Sequence, residues 1–226
     1  QVPKFQRGKI TAALGIALLL GKDFLLKNWT ERRLSRETGL TARVGRLKLG
    51  LGSASLHLKD LRLYNPPEFG GSVLLDVPEL YLQAAPAPAA DGKLRLKLVR
   101  LHLREIHVIR NREGRLNLET LSARAEKTAR APAEKPAPKT TRFQFAGIEQ
   151  LRLTADRLTY TDDKNPANNR VFNLGVRDET ATNLTTQAEL ETWSKALLLR
   201  VLVRQILEQP VHPKKSGLNF LLDALN

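Results

Sequence analysis

Cysteine and methionine are both absent from the 226 residues. Without cysteine there is no disulfide framework, zinc ribbon or thiol nucleophile, which fits a periplasmic or a cytosolic setting equally. Without methionine, even at position 1, the sequence is expected to have lost its original start. Aromatic residues are scarce at 5%, whereas proteins that read nucleic acid interleave cations with aromatic stacking platforms. Nucleic acid is therefore the least favoured partner. Only four histidines occur, His57, His102, His107 and His212. They form no His-x-x-x-His or His-Glu-x-x-His pattern, and no calcium-type acidic loop is present, so no metal site is expected. A Gly-x-Ser-x-Gly turn, a phosphate-binding glycine loop and a dinucleotide-type glycine turn are also missing. No catalytic residue and no cofactor is expected.

Negative charge is in short supply too: 37 Lys and Arg stand against 23 Asp and Glu, for a net +14. That balance calls for an anionic partner, nucleic acid or phospholipid head groups, unless the cations form a solvated outer face.

What is present is a repeat. Leu56-His-Leu-Lys-Asp-Leu-Arg-Leu-Tyr-Asn65, Leu101-His-Leu-Arg-Glu-Ile-His-Val-Ile-Arg-Asn111 and Leu151-Arg-Leu-Thr-Ala-Asp-Arg-Leu-Thr-Tyr-Thr-Asp162 each alternate aliphatic with cationic or polar residues. Each slips by one position mid-run and ends in Asn or Asp, the pattern of a half-buried strand with a bulge. One face of such a sheet is oily and the other charged. Asp60 and Glu105 fall at equivalent places in the first two copies. They read as polar residues at the bulge or members of ion pairs before they read as an acid pair.

Along the chain, Lys4, Arg7 and Lys9 precede an apolar run from Ile10 to Gly21 that continues to Trp29. The stretch approaches the ~20 residues of a bilayer-spanning helix, and no Ala-x-Ala cleavage site follows. An uncleaved anchor is expected through Ile10, Leu14, Leu18, Leu20, Leu25 and Trp29, with an amphipathic surface or core helix as the alternative. The helix should stop at Gly39. Strands are expected at Val44–Leu51, Leu56–Leu63, Val73–Gln83 (an edge or a bulge, given Pro78), over the long run Lys93–Ile109, at Arg115–Leu121, from Phe143 to Tyr160, and at Val171–Val176. Residues 123–141, rich in Ala, Lys and Pro, read as a disordered linker. Thr186-x-x-Glu189 is a capping box, and Leu190, Trp193, Leu197, Val201 and Leu202 form a helical apolar stripe. The segments are thus an anchor helix over 1–39, a β region over 40–122, the linker, a further β region over 142–183 and helices over 184–226.

The order of motifs is what resembles a family. The anchor leads into Thr38-Gly-Leu-Thr-Ala-Arg-Val-Gly-Arg-Leu-Lys-Leu-Gly50. The first repeat then runs on into Asn65-Pro-Pro-Glu-Phe-Gly70, followed by Asp76-Val-Pro-Glu-Leu-Tyr-Leu82 and Val108-Ile-Arg-Asn-Arg-Glu-Gly-Arg-Leu-Asn-Leu118. This progression resembles the AsmA-like family over residues 10–122 and, more loosely, over 143–208. The resemblance implies a mainly β fold with flanking helices: an N-terminal transmembrane helix, a curled antiparallel sheet forming an open groove, and a C-terminal amphipathic helix. It also implies a single-pass bacterial inner-membrane protein, its bulk in the periplasm, whose larger chorein-type relatives conduct phospholipid along such a groove. Leu49, Leu58, Leu63, Leu96, Leu103 and Leu153 are the expected lipid-contacting side chains, and membrane phospholipid is the expected partner. The rival reading is a non-catalytic scaffold that docks onto copies of itself or onto a larger envelope complex.

Overall fold

The computed structural model describes residues 27–36, 38–50, 52–85, 93–119 and 144–208. Outside them lie the anchor positions Ile10, Leu14, Leu18, Leu20 and Leu25, the linker and the C-terminal tail. Helical residues 27–36 (α1) precede β1 (Thr41–Gly50), β2 (Ser55–Tyr64), a 3-10 turn at Pro67–Phe69, β3 (Val73–Ala84), β4 (Lys93–Arg110), β5 (Gln144–Asp162), a 3-10 turn at Pro166–Asn168, β6 (Arg170–Leu184) and α2 (Gln187–Glu208). As expected, α1 gives way at Gly39, whose φ of 66° is left-handed. The Thr38 hydroxyl closes the turn by donating to the Leu34 carbonyl at 2.7 Å. No helix among the described residues is long and apolar enough to cross a membrane.

The six strands form one open sheet in sequence order, β1 to β6. It is mixed, which corrects the antiparallel expectation: β4 and β5 run parallel. Short turns join antiparallel neighbours, but residues 111–143 intervene here, enough chain to return to the strand's starting end. Consequently β2, β4 and β5, the three repeats, run the same way and finish at one end of the sheet.

The mid-run slip is real and crosses the sheet. Apolar residues keep one face by stepping three positions in five successive strands: Val44 to Leu47, Leu58 to Leu61, Val77 to Leu80, Leu103 to Ile106 and Ala155 to Leu158. Asp60 takes φ 54° at this line, and Pro78 lies on it. That position lets an interior strand carry a proline, since the register leaves Pro78 without a paired partner; β3 is no edge. A second slip crosses β4 to β6, from Leu96 to Val99, Ile148 to Leu151 and Ala181 to Leu184.

Two further expectations change. Of the expected strand Arg115–Leu121, residues 115–119 form none: only Leu116 bridges to Arg110, and a helical turn follows. Asn111 causes this, because its Oδ1 accepts from the backbone N–H groups of Glu113 and Arg115 and folds the chain back. β6 continues beyond Val176 to Leu184, its period disguised by positive φ at Gly175, Asp178 and Asn183.

Gly147 has φ 119°, and a Cβ there would meet the Leu184 carbonyl oxygen at 2.8 Å and Thr185 Cα at 3.1 Å, both backbone. Gly70, at φ 76°, has open space around it. Gly147→Ala therefore combines strain with a clash and is expected to cost about 2–4 kcal/mol, a fall of roughly 5–15 °C in Tm. Gly70→Ala carries strain alone, about 1 kcal/mol. Thermal unfolding followed by circular dichroism should rank them in that order.

Candidate functional site

The slips sort the side chains so that all six expected leucines share one face of the sheet. Leu49 and Leu63 are half-buried, and Leu58 is 4% exposed within the cluster of Val44, Leu47, Leu61 and Val77. Leu34 of α1 packs onto the same cluster. Leu96 lies with Val99, Ile148 and Leu151, beneath Leu190 and Trp193. Leu103 and Leu153 pack with Ala155, Val176, Leu197 and Val201, again beside Trp193. The face is thus contiguous but unevenly covered. α2 lies over β5 and β6, as the stripe Leu190, Trp193, Leu197, Val201 requires, and packs on the cluster that holds the half-buried Leu153. Over β2, β3 and the middle of β4 the half-buried leucines Leu56, Leu63, Leu75, Leu80 and Leu101 pack on a cluster that no residue of α2 joins.

α2 is held in place by specific polar contacts. The capping box forms: Glu189 N donates to Thr186 Oγ1 at 3.1 Å, and Glu189 Oε2 accepts from the Thr185 and Thr186 N–H groups at 2.6 and 3.1 Å. Those donors, the Thr185 backbone N–H first, hold the Glu189 carboxyl below its ordinary range. Arg200 reaches Glu179 at 2.7 Å, the one carboxylate β6 places opposite Leu153, and Arg204 donates to the Gly175 carbonyl at 3.1 Å. α1 acts at the other margin. Its Glu31 and Ser35 accept from the Val44 and Ala42 N–H groups at 2.6 and 3.0 Å, occupying edge donors of β1 that have no strand neighbour.

The reverse face carries the charges. Asp76 sits between Arg62 (3.8 Å) and Arg104 (3.1 Å), His57 lies 3.0 Å from Glu79, and His102 lies 2.9 Å from Asp156. Arg157 bonds Glu105 at 2.6 Å, and Arg152 makes a two-pronged pair with Asp178. Burial pushes the Glu105 carboxyl up, but hydrogen bonds from Arg157 and Thr159 outweigh it and leave it below the usual value. Asp60 and Glu105 are therefore a bulge residue and an ion-pair member, not an acid pair. Among the described residues no group of three or more His, Asp and Glu converges to hold a metal.

Sequence reasoning noted the Asn or Asp at each repeat's end only as a stop signal. All three are buried at the shared end of the sheet: Asn65 4%, Asn111 5% and Asp162 2% exposed. Asn117 joins them, its Nδ2 donating to Asn65 Oδ1 and to the His107 carbonyl, each at 2.8 Å, while its Oδ1 accepts from Ile109 N at 3.0 Å. Asp162 accepts from Lys164 N, Asn165 N and Asn168 Nδ2, each at 3.0 Å. A cleft of about 630 Å³ opens beside them, lined by polar residues such as Glu68, Arg112 and Asp163. Its chemistry differs from that of the apolar face.

The chain matches the AsmA family over residues 51–216. The match takes in β2 through α2 and so extends across the second half of the chain. No curated protein and no solved structure matches the chain.

Burial alone would raise the Asp162 carboxyl; the hydrogen bonds from Asn168, Asn165 and Lys164 win and hold it below the ordinary aspartate range. A carboxyl depressed in the folded state stabilises above its unfolded value and loses that contribution as pH falls through the folded one. Asp162→Asn is expected to cost about 1–3 kcal/mol at pH 7. The gap to the unsubstituted protein should close as pH drops below about 4. Urea unfolding at stepped pH measures both; a gap that stays constant with pH contradicts the assignment.

Proposed function

The chain belongs to the AsmA family, and on that premise we propose that it is a bacterial envelope protein that holds or guides phospholipid by laying acyl chains against the apolar face of its sheet. The observation that carries this reading is the belt of half-buried leucines over β2, β3 and β4 that α2 leaves uncovered, bordered by α1 at one margin and α2 at the other. Specificity is then a matter of shape and apolar contact. Each methylene withdrawn from water contributes about 0.8 kcal/mol, so roughly ten of them supply about 8 kcal/mol before ordering costs. Six strands about 4.8 Å apart span about 24 Å, less than the ~30 Å hydrocarbon core of a bilayer. A single copy shields a lipid tail without bridging two membranes. Its place at the inner membrane, with the sheet in the periplasm, rests on the apolar run from Ile10 to Trp29 and the basic residues before it. The chain is read as a binding protein and not as an enzyme.

A scaffold role has one observation in its favour. Leu199 and Val203 of α2 are 57% and 45% exposed, a turn apart, where a partner helix or a second copy can pack. Co-migration with a defined complex on native gels, free of lipid, would favour that reading.

Purified in mild detergent, the protein is expected to retain phospholipid detectable by mass spectrometry. Leu63→Ser combined with Leu75→Ser, a cross-strand pair on the belt, should lower retained lipid several-fold. Val171→Ser, at a side chain 68% exposed on β6, should leave it unchanged. Lipid-free protein, or equal retention in both variants, contradicts the proposal.

A further inference from the structure

The reverse face of the sheet is not uniformly neutralised. Between β2 and β6, Asp76, Glu105 and Asp178 pair with arginines of neighbouring strands, and Glu79 and Asp156 lie beside His57 and His102. Between β1 and β2 the register instead sets cation against cation, Arg43 opposite Arg62 and Arg46 opposite Lys59, while Lys48 faces His57. Like charges directly opposed weaken an antiparallel pair. The two strands carry five Lys and Arg and a single acid, Asp60. Among the described residues no ion pair reaches Arg43, Arg46, Lys48 or Lys59. These four side chains are exposed, and Arg46, Lys48, His57 and Lys59 enclose a small hollow of about 90 Å³.

α1 continues the same chemistry. Glu31, Leu34 and Ser35 engage the sheet, and the 3.6-residue period puts Trp29, Arg32, Arg33 and Arg36 on the opposite side. All four are exposed, Trp29 at 52%, with the Arg33 guanidinium 5.3 Å from its ring centroid. An indole held at a cationic helix face suits the boundary between head groups and water. On the strands, by contrast, the Tyr64 ring is already taken by Arg43 at 5.4 Å, which leaves nucleobases little to stack on.

We infer that this margin, the outer faces of α1 and β1, docks on the anionic head groups of a phospholipid bilayer. The cationic rows point away from the leucine belt, so the inference does not rest on acyl-chain binding and survives its failure. It gives the opposed cations a reason: bound phosphates relieve the repulsion that the strand pair otherwise carries.

The absence of cysteine makes a direct test simple. Ser53→Cys, on the exposed turn between β1 and β2, accepts a single donor dye in the full chain. Energy transfer to head-group-labelled acceptor lipid is then read in phosphatidylcholine vesicles with and without phosphatidylglycerol. Transfer is expected to rise with phosphatidylglycerol. It should return to the phosphatidylcholine level as salt goes from about 0.1 to about 1 M, where the Debye length falls from about 10 to about 3 Å. Arg43→Gln/Arg46→Gln/Lys48→Gln and, separately, Arg32→Gln/Arg33→Gln/Arg36→Gln should each remove at least half of the phosphatidylglycerol-dependent part, with folding checked by circular dichroism. If one triple variant fails to fold, the other and the salt series of the unsubstituted chain still decide. Transfer that ignores lipid charge and salt, persists in the folded variants, or is abolished by stoichiometric RNA oligonucleotide overturns the inference.

Discussion

In a pleated strand, successive side chains alternate between faces, so one extra residue in one strand would turn every leucine beyond it toward water. The slip therefore has to be made by neighbouring strands together. Gly45-Arg46, Lys59-Asp60, Pro78-Glu79, Arg104-Glu105 and Asp156-Arg157 make it across the first five strands, and the face stays apolar on both sides of the line. The core clusters, the seat of α2 and the leucine belt all depend on that agreement. The register shifts in β6 adapt the last strand to the same scheme.

The same sorting produces the other face as a consequence. Residues expelled from the oily side collect opposite, where Asp76 sits between two arginines and Glu105 holds Arg157 and Thr159. These pairs are mostly half-exposed or more, and each contributes little to stability on its own. Their value is in keeping a strongly cationic sheet from repelling itself, which is why the lack of such pairs along β1 among the described residues stands out. The acids are spent on the interior strands, and the margin nearest α1 is left basic.

The fixed end of the sheet does a different job. Three parallel-running repeats terminate together on a buried Asn or Asp: Asn111 and Asp162 satisfy backbone N–H groups that a turn would otherwise leave unpaired, and Asn65 bonds the side chains of Ser72 and Asn117. Asn117 ties the first of these ends to the second by bonding both Asn65 and the backbone of β4. The rigid polar end and the adaptable apolar middle are therefore built from the same repeated segment, read at its last residue and along its length.

The sequence by itself determined which residues share a face, where each repeat slips, the capping box at Thr186 and Glu189, and the stop at Gly39, because all of these follow from spacing within a few residues. Tertiary structure decided what depends on distant partners. β4 and β5 pair parallel, residues 111–143 between them being chain enough to reach the strand's starting end, and Pro78 sits in an interior strand because its missing N–H falls on the slip line. Asn111 turns the expected strand after it into a bridge and a helical turn. How far α2 reaches over the leucines was equally invisible in the spacing. A helical stripe says that a helix is covered, but only the packing of Trp193, Leu197 and Val201 on β5 and β6 shows which leucines it packs on and which it does not reach.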